Sequence, residues 1–440
     1  MGFDGEIFTR GESGYEDARR GALWNALTPD RFPEVIVWAA GEADCLAAVR
    51  LAREKGLKLS VRSGGHSWAG NHLRDDTLLL DLSGLRGFEI DREAMRASVQ
   101  PGCPGNVLDL ELEKLGLFFP VGHCPGVALG GYLLQGGFGW NGRVHGPACQ
   151  SVVAIDLITP EGEQLTVGEE SDPDLFWAAR GSGPGFFSVI TRYHLRLYSR
   201  PPVIANGIAT YPLDALEEVF SWAKEIGPRV PRWMELMLFT HLDQGEPEVV
   251  VTGPVLAPSE AEAREALGLL ESCPAAGRAK LSMPYFPARL EDLYAGVHAS
   301  YPDDHRYAVD NMWTHAPVSE LLPGIRQIAE TLPEAPSHML WMNWGESPVR
   351  EDMAYSVEDE TYIALYAVWQ DPARDQANID WATSNMVAMA EMASGIQLAD
   401  ENLGRRPARF VSEEKLERLD LVRSRHDPDG LFHEWMGRPA

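Results

Sequence analysis

The stretch Val121-Gly122-His123-Cys124-Pro125-Gly126-Val127-Ala128-Leu129-Gly130-Gly131 continues to Gly139, and it decides how the rest of the chain is interpreted. It contains seven glycines between Gly122 and Gly139, and its one cysteine directly precedes a proline. Glycine lets the backbone approach a ligand closely and leaves its N–H groups free to point at that ligand. The stretch therefore predicts a loop that cradles a large ligand.

A second glycine-rich stretch lies upstream, Arg62-Ser63-Gly64-Gly65-His66-Ser67-Trp68-Ala69-Gly70. It follows a predicted strand at 35–40, a predicted helix at 42–56 and a predicted strand at 59–62, which together form a β-α-β unit. Neither a GxGxxG fingerprint nor the Gly-Lys-Ser/Thr of a P-loop occurs here, which argues against a Rossmann domain. We expect the two loops to hold one large anionic cofactor, with His66 and Cys124 facing it.

Composition sets wide bounds on function. The chain has 440 residues, enough for two or three domains, and 38 basic against 65 acidic residues give a net charge of -27. This balance argues against nucleic acid and anionic membranes as partners. The five cysteines show no CxxC spacing, so we expect neither a disulfide framework nor a metal site. The acidic N-terminus and the absence of an apolar run of membrane-spanning length make a cytosolic location the default, while the oligomeric state is not indicated.

The dipeptide Pro201-Pro202 is the best domain boundary, because glycine becomes less frequent after it. We predict a cofactor-binding domain over 1–202, a substrate domain over 203–406 and a C-terminal segment over 407–440 that returns to the first domain. Predicted strands of the second domain occupy 203–211, 232–240, 247–255, 306–314, 337–345 and 361–369, and predicted helices occupy 213–226, 259–272, 318–332 and 373–394. This order favours an antiparallel sheet covered by helices on one face, hence an α+β fold.

Several short motifs carry a resemblance to a known family. They are Arg62-Ser63-Gly64-Gly65-His66, Gln100-Pro101-Gly102, Gly122-His123-Cys124-Pro125, Gly136-Gly137-Phe138-Gly139, Asp174-Leu175-Phe176-Trp177-Ala178-Ala179-Arg180-Gly181, Val189-Ile190-Thr191 and the tail Arg425-His426-Asp427-Pro428-Asp429-Gly430-Leu431-Phe432. Residues 14–200 resemble the PCMH-type FAD-binding domain of the berberine bridge enzyme-like branch of the vanillyl-alcohol oxidase superfamily. The middle of the chain resembles that family's substrate domain only in size and in the order of its strands and helices.

The resemblance implies an FAD bound across two α+β subdomains. His66 stands where the family attaches a histidine to the flavin 8α-methyl group, and Cys124 where bicovalent members attach a cysteine at flavin C6. Val127 stands where a small residue leaves oxygen access to the flavin. The other residues that we expect at the cofactor are Arg62, Ser63, Gly64, Gly65, Ser67, Gly122, Pro125, Gly126, Gly130, Gly131, Gly136, Gly139 and Val189.

The two attachment residues also have ordinary interpretations. His66 by itself would be a turn histidine bonded to the backbone, and Cys124 would be a buried, unreactive thiol. A reactive thiol needs its thiolate stabilised, and we expect free N–H groups of the loop to do this. The surrounding motif favours a flavin bond at His66 and a second one at Cys124.

The sequence leaves the catalytic base open. Many relatives carry a tyrosine pair shortly before the terminal segment, whereas the stretch 395–402 of this chain, Gly-Ile-Gln-Leu-Ala-Asp-Glu-Asn, has no tyrosine. The mechanism of carbohydrate-oxidising relatives therefore does not transfer directly. His145 and Glu346 are the principal candidates, and Asp400 and Glu401 are further ones. Each of the four is otherwise an ordinary loop or surface residue.

The resulting hypothesis is an FAD-dependent oxidase. A small-molecule alcohol, aminol or benzylic-type C–H would pass a hydride to flavin N5, and O₂ would reoxidise the flavin to give H₂O₂. The strands of the second domain are rich in Trp and Met, mostly core, which favours an apolar donor over a sugar. Two alternatives stay open: a dehydrogenase of the same fold with another electron acceptor, and a flavin-containing protein that binds a metabolite without redox turnover.

Overall fold

The structure is a computed structural model that describes residues 2–345, 347 and 350–438. The chain begins with a small mixed sheet in the order β1-β2-β4-β3, in which β2, β4 and β3 run parallel. Its elements are β1 (Glu6–Thr9), α1 (Tyr15–Gly21), β2 (Val35–Trp38), α2 (Glu42–Lys55), β3 (Lys58–Arg62) and β4 (Thr77–Asp81). The predicted β-α-β unit is β2-α2-β3, and it delivers the first glycine loop at the end of β3.

A second, antiparallel sheet follows in the order β5-β6-β10-β8-β9. This part comprises β5 (Phe88–Asp91), β6 (Arg96–Val99), α3 (Gly105–Lys114), β7 (Leu117–Phe118), α4 (Leu129–Leu134), α5 (Gly142–His145), β8 (Val152–Ile158), β9 (Gln164–Gly168), α6 (Pro173–Ala179), β10 (Val189–Arg196) and β11 (Tyr198–Ser199). The second glycine loop connects β7 to α4. Along β10 the buried residues alternate with half-buried ones, as the sequence pattern predicts.

A large antiparallel sheet follows β11, in the order β15-β12-β14-β13-β18-β19-β17, and β16 pairs with β12. This region comprises β12 (Val203–Pro212), α7 (Leu216–Ile226), β13 (Met237–Asp243), β14 (Glu246–Thr252), β15 (Val255–Ala257), α8 (Glu260–Gly268), β16 (Leu281–Pro287), α9 (Leu290–Ser300), β17 (Arg306–Thr314), α10 (Val318–Glu330), β18 (His338–Asn343), β19 (Thr361–Trp369) and α11 (Asp375–Ala388). The predicted α+β class is confirmed, and two predicted strands, 306–314 and 361–369, coincide with β17 and β19.

The two faces of the large sheet have different neighbours because side chains alternate along each strand. Leu238, Trp341 and Ile363 share one hydrophobic core with α7, α8, α10 and α11. Leu340 and Tyr362 lie on the other face, in the core that includes the first two sheets. One face of the sheet therefore meets the helices, and the other meets the glycine loops.

The segment 281–300 was not predicted to be regular, yet it forms β16 and α9. Its weak apolar periodicity follows from its position, since most of β16 is exposed at the sheet edge. Leu293 of α9 belongs to the core on the glycine-loop side rather than to the helical layer. One helix therefore lies on the face that was predicted to be free of helices.

The C-terminal segment contains α12 (Glu413–His426) and continues to the first sheet. The N–H group of Leu59 donates to the carbonyl oxygen of Leu431 at 2.8 Å, so the tail adds to the edge at β3. Within the described ranges, no helix has the length and apolar character to cross a bilayer.

Candidate active site

The two glycine-rich loops pack directly against each other. A Cβ atom placed on Gly130 would lie 2.2 Å from Oγ of Ser63, and one on Gly126 would lie 3.4 Å from Nε2 of His66. Gly126 also has a φ of 82°, a conformation that residues with a Cβ rarely adopt. Glycine at these positions is what allows the loops that carry His66 and Cys124 to come together.

A cavity of about 890 Å³ runs between the loops and the large sheet. Its lining includes His66 and Cys124 from the loops, Phe239 and Tyr366 from the large sheet, and Asp400 from the segment after α11. Ligand sites typically occupy 300–1,000 Å³ and lie at domain interfaces. This cavity has the size and the position of a site for a cofactor and a substrate.

Most of the predicted cofactor residues line this cavity. They are Arg62, Ser63, Gly64, Gly65, His66, Ser67, Gly122, Cys124, Pro125, Val127, Gly130 and Gly131. The guanidinium group of Arg62 is held by Asp81, with Nη1 to Oδ1 at 2.7 Å, and by the carbonyl oxygen of Ala22. Arg62 therefore anchors the loop to β4 rather than offering its charge to a ligand.

Four predicted cofactor residues lie behind the lining. Val189 is buried in the pairing between β10 and β8, while its neighbours Ser188 and Ile190 reach the cavity. Gly136 faces the ring of Tyr355, and Gly139 faces the backbone of Val121. Gly126 faces His66, as described above. These glycines allow close packing of protein on protein, not contact with the cavity.

The first loop offers unused donors to an anion. Among the described residues, no protein group accepts from the N–H groups of 63–67. Three buried polar atoms of cavity-lining residues also lack a protein partner: Oδ1 of Asn71, Nε2 of His72 and Oγ of Ser188. Buried polar groups are normally hydrogen-bonded, so this end of the cavity fits a ligand rich in phosphate and hydroxyl oxygen.

Asp400 presents a carboxylate to the other end of the cavity. Its Oδ1 accepts from Nε1 of Trp68 at 2.6 Å, and its Oδ2 accepts from the hydroxyl groups of Tyr366, at 2.8 Å, and Tyr362. Burial raises the pKa of Asp400, and the hydrogen bonds from Tyr362, Tyr366 and Trp68 offset part of that rise. Such a perturbed carboxyl group in a cleft is characteristic of a functional site.

Comparison with known proteins identifies the family. Residues 33–168 match the family described as an FAD binding domain. An FAD-linked oxidoreductase of Penicillium janthinellum is 32% identical over 419 residues, which cover 94% of this chain and 93% of that protein. The chain belongs to the FAD-linked oxidoreductases. The enzyme's cofactor is FAD, and the free donors of the first loop fit its pyrophosphate.

Solved structures show the same fold over nearly the whole chain. The 6-hydroxy-D-nicotine oxidase of Arthrobacter nicotinovorans superimposes with a TM-score of 0.87 at 22% identity, covering 98% of this chain and 97% of that one. The berberine bridge enzyme of Eschscholzia californica superimposes with a TM-score of 0.85 at 19% identity, covering 99% of this chain and 96% of that one. The resemblance inferred from the motifs is confirmed, and at these identities the structural likeness extends to the fold alone.

His66 lies in an aromatic environment. The indole of Trp24 stacks on its imidazole, with ring centroids 5.2 Å apart and planes 14° apart. Burial, assisted by the charge of Arg62, lowers the pKa of His66 to about 4. The imidazole is therefore neutral at physiological pH and keeps a ring nitrogen with a free electron pair.

Cys124 departs from the expectation that its loop stabilises a thiolate. Burial, assisted by the negative charge of Asp400, raises the pKa of this thiol to about 12. The thiol is therefore protonated at neutral pH in the protein without its cofactor. Because the two groups interact, Asp400 is close enough to influence the ionisation of Cys124.

Of the two principal candidates for the catalytic base, the structure describes only His145. His145 lies outside the cavity lining and stacks on Tyr198, with ring centroids 3.8 Å apart and the ring of Phe118 nearby. The structure does not support it as the base, because its ring fills an aromatic cluster at the end of α5. Glu346 lies outside the described residues.

Of the further candidates, Asp400 lines the cavity and Glu401 points elsewhere. Glu401 is buried, accepts from the side-chain amide of Asn71 at 2.5 Å and also accepts from the backbone N–H of Leu403. Sequence reasoning missed the tyrosines that hold Asp400. The signal was present, since Tyr362 and Tyr366 are four residues apart on a strand and so share a face.

Proposed function

We propose that this protein is an oxidase whose FAD is attached covalently through His66 and Cys124. Its donor is a small-molecule alcohol, aminol or benzylic-type carbon. Bound FAD accepts a hydride from the donor and passes the electrons to O₂, which gives H₂O₂. The observation that carries the proposal is the meeting of His66, Cys124 and the carboxylate of Asp400 in one cavity.

Asp400 is the group that takes the proton of the donor's hydroxyl. A general base must lie within hydrogen-bond reach of that proton, and its pKa is best placed near the working pH. Burial raises the pKa of Asp400, which moves this carboxylate toward that range. Tyr362, Tyr366 and Trp68 fix its orientation. Oδ2 accepts two hydrogen bonds and Oδ1 only one, so a lone pair of Oδ1 stays available for the hydroxyl group of the substrate.

The chain's own groups suit a doubly attached cofactor. A neutral His66 has a nitrogen that can form a bond, and its stacking on Trp24 fixes the direction of the ring. Cys124 has to lose its proton before its sulfur can form a bond, and Asp400 is the neighbouring carboxylate. Attachment at two points would hold the ring in a cavity that stays open to the substrate.

Use of O₂ is the part of the proposal that separates an oxidase from a dehydrogenase of the same fold. Val127 lines the cavity, and its small side chain leaves room for a diatomic molecule. The structurally similar 6-hydroxy-D-nicotine oxidase is consistent with this assignment.

Stopped-flow reoxidation tests this part without knowledge of the donor. The holoenzyme is reduced by light under anaerobic conditions and mixed with buffer at several O₂ concentrations. We expect a fast reaction, first order in O₂, that Val127→Ala retains and Val127→Leu slows. Slow reoxidation of the natural protein would exclude the oxidase and favour a quinone or protein acceptor.

A further inference from the structure

The cavity wall formed by the large sheet is a grid of side chains in register. In one row Tyr362 is paired with Met342, and Met342 with Met237. In the adjacent row Leu340 is paired with Phe239, and Phe239 with Val250. All six side chains line the cavity. We call Met342, Met237, Leu340, Phe239 and Val250 the apolar strip.

The apolar strip begins at the group that holds Asp400. Tyr362 and Tyr366 lie on β19, and the strip crosses β18 and β13 to reach Val250 on β14. Neighbouring strands are about 4.8 Å apart, so the three steps from β19 to β14 cover about 14 Å, of which the strip itself takes about 10 Å. The strip is therefore long and starts where the reacting carbon of a substrate would lie.

A row of polar residues borders the strip, but its members are already paired. Tyr366 stands opposite His338 across the strands. The Nδ1 atom of His338 lies 2.9 Å from the carbonyl oxygen of Pro336, which can only accept, so Nδ1 carries the proton. Nε2 then accepts from the hydroxyl group of Tyr301 at 3.0 Å. His338 has no free donor or acceptor left for a substrate.

Further along this row, the carboxylate of Glu248 accepts from His241 at 3.0 Å and from Lys280 at 3.1 Å, which is one hydrogen bond on each oxygen. The hydroxyl group of Thr252, at the far end of the first row, donates to Asn206 at 2.9 Å. A carbohydrate needs a hydrogen-bond partner for most of its hydroxyl groups, because unpaired buried polar groups are costly. The five side chains of the apolar strip do not offer such partners.

We infer that the substrate is an elongated primary alcohol whose body is mainly hydrocarbon. Its hydroxyl group lies at Asp400 and its body lies along the apolar strip. The inference rests on the proposed function, because it takes Asp400 as the proton acceptor. It goes further by naming the chemical class of the donor and the residues that select it.

A series of straight-chain alcohols tests the inference. Hexan-1-ol, octan-1-ol, decan-1-ol and dodecan-1-ol are titrated into anaerobic holoenzyme, and a shift or bleaching of the flavin absorbance reports occupancy. Burying one CH₂ group is worth about 0.8 kcal/mol, so we expect the dissociation constant to fall about fourfold for each added CH₂. Cellobiose should not perturb the spectrum at concentrations where decan-1-ol saturates it.

Two variants test where the alkyl chain of the alcohol lies on the apolar strip. Leu340→Gln lies one strand from Tyr366 and should weaken the binding of all four alcohols by roughly tenfold or more. Val250→Thr keeps the shape of the side chain and lies at the far end of the strip. It should therefore weaken the binding of dodecan-1-ol several-fold and leave the binding of hexan-1-ol unchanged. His241→Asn, in the bordering row, is the matched control and should alter neither constant.

The outcomes separate this inference from the proposed function. A colourless protein defeats the proposed function itself. A yellow protein shows that the flavin is present, and three results with it would defeat only the inference about the substrate. These results are an affinity for the alcohols that is independent of their chain length, no binding of any of them, or tighter binding of cellobiose. Loss of binding in both Val250→Thr and His241→Asn would also contradict it.

Discussion

The hydroxyl group of Tyr366 donates to Oδ2 of Asp400 at 2.8 Å, although the two residues are 34 positions apart in the chain. Tyr366 belongs to β19, which is paired on both sides in the large sheet, and Asp400 belongs to the segment after α11. The contact fixes a carboxylate over the cavity by means of a rigid strand. Sites supported by strands hold their geometry more accurately than sites made of loops alone.

Replacing Asp400 tests its role as the base. Asp400→Asn keeps the size of the side chain and removes its ability to take a proton. We expect the rate of anaerobic flavin reduction by the tightest-binding alcohol to fall about 10²–10⁴-fold. His145→Phe is the control and should leave this rate unchanged, since the ring of His145 lies outside the cavity lining. Equal losses in both variants would show that Asp400 has no special role.

The tyrosines should set the pH range of that rate. A base has to be ionised, and the hydrogen bonds from Tyr362 and Tyr366 favour the ionised form of Asp400. Tyr366→Phe removes one of them and raises the pKa of Asp400 further. We expect the acid side of the rate–pH profile to move to higher pH, with a nearly unchanged rate at the alkaline end. An unchanged profile would mean that another group titrates.

The sequence was informative where neighbouring residues determine the structure. The two glycine loops follow from local composition, and β17 and β19 coincide with the predicted strands 306–314 and 361–369, which are rich in apolar and aromatic residues. The polar and aromatic side chains that meet at Asp400 come from three distant segments. No local pattern reports such a meeting, so the sequence left Asp400 as one of several candidates.

Other errors have equally physical causes. His145 was chosen for its chemistry, but burial among Phe118 and Tyr198 makes it a packing residue. Cys124 was expected to ionise easily, whereas burial and the charge of Asp400 have the opposite effect. Neither burial nor a distant charge can be read from adjacent residues. The cytosolic location and the segment boundaries at 202 and 406 stay predictions.

Packing of the two loops can be tested by adding one methyl group. In Gly130→Ala the new Cβ would lie 2.2 Å from Oγ of Ser63 and 2.8 Å from Cβ of Pro101. We expect the free energy of unfolding to fall by about 1–3 kcal/mol in urea denaturation. Gly131→Ala is the matched control, because nothing lies within 4 Å of its added Cβ. Because residue 131 is helical, alanine there should raise the free energy of unfolding by up to about 1 kcal/mol. A similar loss of stability in both variants would contradict the close packing of the two loops.

Acid should destabilise the fold through partly buried histidines such as His145. Burial lowers the pKa of His145 to about 4, below the value of about 6.5 expected in the unfolded chain. The unfolded state therefore binds a proton first as the pH falls, and stability that is complete above pH 6.5 is lost toward pH 4. Protonation of this one group in the unfolded state should lower the free energy of unfolding by at most about 2 kcal/mol at pH 5.

The measurement for this prediction is urea denaturation at pH 7.5 and pH 5. The natural protein should lose more stability between these two values than His145→Phe does. An equal loss in the two proteins would assign the acid sensitivity to other groups.

The central claim is that His66 and Cys124 are both bonded to one flavin ring. The most direct measurement is the absorbance of acid-precipitated protein after the free cofactor has been washed away. The natural protein should give a yellow pellet, each of His66→Ala and Cys124→Ala should keep colour through the remaining bond, and the double variant should lose it. A colourless pellet from the natural protein, or a yellow one from the double variant, would contradict the claim.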